Sequence, residues 1–129
     1  MAGTKKDSID YRIAKSQEAL EDALILSQHA RWNGSANRFY YSFFHLIDAL
    51  LYKNDLYAST HSGTKTLFNQ HFIKTEILPK EFGKLYNELF EWRQEGDYTD
   101  FVNIEAEMLI PQIEKIKSFH EILFALINT

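Results

Sequence analysis

Cysteine is absent from the 129 residues, which excludes disulfides, thiolate nucleophiles and cysteine-held metals. Long apolar runs are missing too. No stretch approaches the roughly 20 residues that span a bilayer, and Met1-Ala2-Gly3-Thr4-Lys5-Lys6-Asp7 lacks the apolar core of a signal peptide. The chain is therefore expected in the cytoplasm and away from membranes. Excess positive charge is also lacking. With 14 Lys and Arg against 18 Asp and Glu, the net charge is −4, so no broad basic surface holds nucleic acid. Any contact with RNA must be local or depend on assembly. The five histidines, His29, His45, His61, His71 and His120, show no pairing at metal-ligand spacing, and no HExxH occurs, so neither a metal nor a cofactor is expected. Gly63-Thr64-Lys65-Thr66 echoes a phosphate loop but lacks the Gly-Lys pair, and Ala58 stands where its first glycine belongs. Gly63 is instead expected to permit a close helix approach. Strand alternation is almost absent, as are repeats, low-complexity tracts and linkers.

What is present is helical periodicity in a chain of ordinary globular composition, 45% hydrophobic and 25% charged. One domain is expected over residues 1–129, with its core at about 7–127. The first helix is predicted from Asp7 to Ala30, with a stripe of Ile9, Ile13, Leu20 and Leu24. A break follows at Asn33-Gly34-Ser35, with Ser35 capping a second helix that ends at Leu51 or Lys53. Tyr40, Phe43, Phe44, Ile47, Leu50 and Leu51 cover more than half of that helix, which should make it central. Ser59 or Thr60 should cap a short helix to Phe72. A fourth helix opens at Ile77-Leu78-Pro79, buries Phe82, Leu85, Tyr86, Leu89 and Phe90, and ends at Gly96 before a loop from Asp97 to Asn103. The last helix starts near Asn103, Glu105 and Glu107 and reaches Ile127, burying Leu109, Ile113, Ile116, Phe119, Leu123 and Leu126. Pro111 should kink it or delay its start. The prediction is all-α: an up-and-down bundle of four long helices plus a short one.

Within the second helix, Arg38 and His45 are seven positions apart. That is about 700° of helical rotation, so they share one face some 10 Å apart along the axis. Side chains lean toward the helix N-terminus, so His45 tilts back toward Arg38, with Tyr41 and Ser42 expected between them. A guanidinium that can grip phosphate beside a base that titrates near neutrality suits phosphodiester chemistry. The competing reading is an arginine paired to a nearby carboxylate and a histidine satisfied in the core. A charged and a polar group on the most apolar helix carry a desolvation cost unless their face lines a cleft or interface. A second polar cluster, Arg93-Gln94-Glu95-Gly96-Asp97-Tyr98, interrupts aromatic surroundings at the end of the fourth helix. Arg93 and Asp97, four apart, can meet locally. Most aromatics fall at helical spacing and read as core. Tyr41 and Tyr98 do not.

Three ordered segments carry a resemblance over nearly the whole chain, from Ile9 to Leu126. Ala36-Asn37-Arg38-Phe39-Tyr40-Tyr41-Ser42-Phe43-Phe44-His45 is similar to the Arg-x-Tyr-Tyr-x-x-Phe-His helix of small stand-alone HEPN-domain proteins. Thr60-His61-Ser62-Gly63 is similar to their Ser/Thr-His-x-Gly segment, and Arg93 to Tyr98 resembles their Arg-x-x-x-Asp-Tyr signature. The resemblance implies a helical bundle that forms a homodimer, often beside a nucleotidyltransferase that acts as its antitoxin. In catalytic members Arg-x4–6-His is the core of a metal-independent ribonuclease, and Arg38 with His45 fits the six-residue spacing. Asn37, Tyr41, Ser42, His61, Arg93, Asp97 and Tyr98 would then support the site or bind substrate. Two positions depart from the pattern. Phe39 stands where RNA-cutting members often carry a polar residue, and Ile47 stands where members silenced by adenylylation carry tyrosine. Three function classes follow. One is an endoribonuclease, a toxin or defence RNase that leaves a 2′,3′-cyclic phosphate. Another is a non-catalytic module that binds a nucleotide in the same pocket and partners a nucleotidyltransferase. A purely structural dimerisation domain is the third reading.

Overall fold

Thr4 starts the first helix reciprocally: its Oγ1 accepts from Asp7 N at 3.0 Å while its own N donates to the Asp7 carboxylate at 3.1 Å. From there the computed structural model describes residues 3–98 and 103–129, with the side chains of 94–98 outside the description. The elements are α1 (Lys5–Gln28), α2 (Trp32–Lys53), α3 (His61–Phe68), a π-helical turn (Asn69–Ile73), α4 (Lys80–Tyr98) and α5 (Ala106–Ile127). The fold is all-α, and the described residues contain no strand. None of the described helices is long and apolar enough to cross a membrane.

The break between α1 and α2 lies earlier than the sequence suggests. Ala30 takes the left-handed conformation (φ 57°), Arg31 N donates to Leu26 O and Ala30 N to Ser27 O. This is a glycine-type helix stop made with alanine. Asn33, Gly34 and Ser35 therefore belong to the first turn of α2, and Ser35 is not its cap. The Ser35 hydroxyl instead crosses to α1 and donates to Ala23 O at 2.8 Å. Ser16 answers from α1, donating to Ser42 O at 2.7 Å. Between these bonds lies a seam of fully buried small residues, Ala19, Ala23 and Ala36, which lets the two backbones approach closely. Ile9, Leu20 and Leu24 of the expected stripe are only partly buried.

α2 is central, as expected: it packs against α1, α3, α4 and α5. Phe39, Tyr40, Phe43, Leu46, Ile47, Leu50 and Leu51 are buried around it. Thr60 caps α3, its Oγ1 accepting from Gly63 N at 2.9 Å. Gly63 does not serve a helix approach, because a Cβ there would meet the cap itself, 2.9 Å from Thr60 Oγ1. Gly83 takes that role, since its added Cβ would stand 2.8 Å from Asn69 Oδ1 where α4 crosses the π-helical turn. α4 begins just after Pro79 and continues through Gly96 to Tyr98. A glycine costs a helix about 1 kcal/mol relative to alanine, which weakens a helix end without stopping it. α5 starts at Ala106, ahead of Pro111, so no delayed start is needed. Ahead of it Ile104 N donates to Asn33 Oδ1 at 2.7 Å, tying this segment to the beginning of α2.

Candidate functional site

Antiparallel α1 and α2 form the two walls of a groove of about 360 Å³. Arg38 and His45 line one wall, and Tyr11, Lys15, Glu18 and Asp22 line the other above Ala19. Both α2 residues are half-buried. Arg38 Nε is buried and makes no hydrogen bond. Among the described residues no carboxylate forms an ion pair with the guanidinium, which stacks 5.1 Å from the centroid of Tyr41. The arginine–carboxylate pair of the competing reading is therefore not formed within the described residues.

Burial lowers the His45 pKa below the ordinary 6.5, and the cations Arg38, Lys15 and Arg12 push in the same direction. Asp48, one turn further along α2, opposes them. Asp48 also pairs with Arg12, whose Nε donates to Asp48 Oδ2 at 2.7 Å while the guanidinium lies 4.0 Å from the Tyr52 centroid. The outcome is an imidazole that remains neutral at neutral pH and can accept a proton there.

Tyr41 sits behind the groove in a cluster of rings and cations. Its centroid is 6.1 Å from that of His45, 5.7 Å from that of His61 and 6.0 Å from the Arg93 guanidinium carbon. His61 Nδ1 is 2.7 Å from the Tyr40 hydroxyl, whose pKa is pushed up to about 12, chiefly by burial, so the phenol keeps its proton. Arg93 also lies 5.4 Å over Tyr40. Arg38 and Arg93 face a second hollow of about 290 Å³, shared with Asn37 and Trp92. Three other stretches of sequence thus gather around the Arg38–Tyr41 face of α2: α1, the start of α3 and the last third of α4.

Ser42 is the exception among the expected residues. It is fully buried to the side of the groove face of α2, where its hydroxyl donates to Phe39 O at 2.7 Å and meets His120 Nε2 at 3.0 Å. A four-residue step from Arg38 overshoots a full turn by about 40°, and on α2 that rotation is enough to carry Ser42 into the core. The side chains of Asp97 and Tyr98 lie outside the described residues. The α1 wall is what the sequence reading missed. Tyr11, Lys15, Glu18 and Asp22 recur at helical spacing on one face, a signal hidden because α1 was read only for its apolar stripe. Among the described residues, no group of three or more histidines and carboxylates gathers as a metal would require.

The sequence profile of the HEPN domain matches residues 9–123. The chain belongs to the HEPN-domain family. Among its relatives, a UPF0332 protein of Thermotoga maritima is 38% identical over 124 residues, which is 96% of this chain and 94% of the relative. A protein of Methanocaldococcus jannaschii named "Putative toxin" is 31% identical over 102 residues, 79% of this chain and 69% of the relative. A UPF0332 protein of Gloeobacter violaceus is 33% identical over 84 residues, 65% of this chain and 67% of the relative. The HEPN profile spans both walls of the groove and all the described residues around Arg38.

Proposed function

We propose that this HEPN protein is a metal-independent endoribonuclease of the toxin or defence kind. One observation carries the reading: a guanidinium with a buried, unbonded Nε and an imidazole held neutral open into one groove. Neutral His45 takes the proton of a ribose 2′-hydroxyl, whose oxygen attacks the adjacent phosphorus. Arg38 stabilises the charge that develops on the phosphoryl oxygens, a task for its bidentate fork. The bond from phosphorus to the 5′-oxygen breaks, leaving a 2′,3′-cyclic phosphate on one fragment and a 5′-hydroxyl on the other once that oxygen gains a proton.

The departing oxygen lies opposite the attacking one, beyond easy reach of the same imidazole. A homodimer with the Arg38–His45 faces meeting at a shared cleft supplies a second histidine as acid and doubles the local cations, which helps an acidic chain hold RNA. Light scattering should show a dimer at micromolar concentration. Purified protein should cleave RNA in the presence of chelator, and Arg38→Ala and His45→Ala should each abolish cleavage without unfolding the chain. Cleavage that persists in His45→Ala would overturn the mechanism.

A second reading is a nucleotide-binding module that partners a nucleotidyltransferase, with Arg38 as its phosphate grip. What favours it is the burial of Phe39, which leaves no polar group directly after the arginine at the groove. Binding of a nucleotide without any RNA cleavage would select it. Ile47 is fully buried, so the position that carries tyrosine in adenylylated relatives offers no acceptor here. The name of the Methanocaldococcus relative supports the toxin role, and a cytoplasmic site of action fits it. Expression that arrests growth, relieved by Arg38→Ala, would test that role.

A further inference from the structure

The two serine bonds between α1 and α2 fix more than their separation; they fix register. With Ser16 facing residue 42 and Ala23 facing Ser35, Lys15 is level with Phe43, just on the Arg38 side of His45, while Glu18 is level with Tyr40 and Asp22 with Ala36, toward the Arg38 end. Tyr11 comes one turn beyond Lys15, on the side of His45 away from Arg38. All four line the same groove. Lys15 is half-buried, forms no ion pair among the described residues, and holds its ammonium 5.7 Å from the Tyr11 ring centroid. Tyr11 is 62% exposed, the most exposed large hydrophobic side chain among the described residues. A flat uncovered ring and an unpaired cation one turn apart thus stand beside the base, on one continuous wall.

We propose that Tyr11 and Lys15 form a nucleotide subsite for the residue whose 2′-hydroxyl His45 deprotonates: its base stacks on Tyr11, and its 5′ phosphate sits against Lys15. The assignment rests on the ribonuclease reading and gives the groove a direction. The scissile phosphate lies between Arg38 and His45, and the chain runs from there toward the 5′ side past Lys15. Glu18 and Asp22 strengthen the polarity. Their carboxylates repel backbone phosphates from α1 at the Arg38 end, leaving the Lys15 end as the favourable stretch of that wall. Because every base has a π-face, the subsite would hold a nucleotide with little regard to its identity. A second copy of the chain is the other candidate to cover Tyr11. One tyrosine at the end of a wall that continues with a lysine and two carboxylates is a small apolar anchor for that, and the ammonium beside its ring favours a ligand that carries negative charge.

The test is binding of a fluorescently labelled single-stranded RNA octamer, measured by anisotropy with all proteins carrying His45→Ala so that nothing is cut. Tyr11→Ala should weaken binding about tenfold, while Tyr11→Phe should stay near the parent, because stacking needs the ring and not the hydroxyl. Lys15→Ala should weaken binding and reduce the slope of log affinity against log salt by about 0.7, the amount expected for one single-strand phosphate contact. Lys15→Arg should restore both. If Arg38→Ala weakens binding while Tyr11→Ala and Lys15→Ala match the parent, the subsite is wrong and the ribonuclease reading stands. If the parent binds no RNA, both fail. If light scattering shows that Tyr11→Ala converts a dimer to a monomer, Tyr11 is a contact between copies and the subsite is overturned.

Discussion

His120 should make this protein sensitive to mild acid, and by an amount the structure allows to be worked out. Its side chain is buried against α2, and burial alone lowers its pKa from 6.5 to about 4. The hydrogen-bond geometry adds a reason. The single Ser42 hydroxyl proton is given to Phe39 O, so the 3.0 Å contact must be a donation from His120 Nε2 to Ser42 Oγ. A second proton on the ring adds a poorly solvated charge. Because the folded pKa lies below the unfolded one, the unfolded chain binds more protons between the two values. The contribution is fully present above 6.5 and is lost as the pH falls toward 4. Each pH unit of separation is worth about 1.4 kcal/mol, so roughly 3 kcal/mol is at stake in all and about 2 kcal/mol by about pH 5. The assay is urea denaturation followed by the fluorescence of Trp32 and Trp92. Parent and His120→Gln are compared at about pH 5 and about pH 7.5, a range that brackets most of the loss. The variant should be less stable at the higher pH but should lose about 2 kcal/mol less on acidification. His45 also has a lowered pKa, but it is common to both proteins and cancels in the difference. Parallel pH profiles for the two proteins would refute the reasoning.

Three further substitutions test local contacts. Asp48→Asn removes the carboxylate that raises the His45 pKa, so the acidic limb of the cleavage profile should move to lower pH, measured as kcat/KM against pH. The same change leaves half-buried Arg12 without its charged partner and should cost about 1–2 kcal/mol in denaturant melts. Thr60→Ala removes the acceptor for Gly63 N and should cost about 1 kcal/mol of stability, with the Ser variant near the parent in thermal melts. Arg38→Lys should fold like the parent yet lose most cleavage of a fluorogenic RNA, because a point charge cannot reproduce a planar fork on phosphate. Parent-like rates in that variant would show that only charge matters at this position.

How far the sequence reveals the molecule depends on which face of each helix is considered. α2 is legible because its large apolar residues run around most of its circumference, and the buried positions of α4 fall at helical spacing without interruption. The α1 seam is harder to read, since Ser16, Ala19 and Ala23 carry little hydrophobic signal yet are the most buried of that helix. Ala30 hides a helix end because alanine in a left-handed stop looks like any helix former. Arg38 and His45 can be paired from spacing alone because they share a helix. The Lys15 wall and the Arg12–Asp48 pair depend on helix register, which no short motif encodes. His120 is concealed for the opposite reason. It sits one residue after Phe119 on an amphipathic helix, and nothing local says which of the two turns inward.

The serine-tied pairing of α1 and α2 has a consequence for how the groove comes into being. Both of its walls lie in one helix–turn–helix, so assembling it requires only a short chain closure across Ala30, with little loop entropy and contacts of low sequence separation. That hairpin is the part of the chain best placed to form early and to open last, which slow amide exchange at residues 13–24 and 35–47 would register. Later elements add to a recess that is already shaped: α3 brings His61 behind it and α4 brings Arg93. The cleft thus owes its shape to the first two helices, and α4 and α5 hold it from behind.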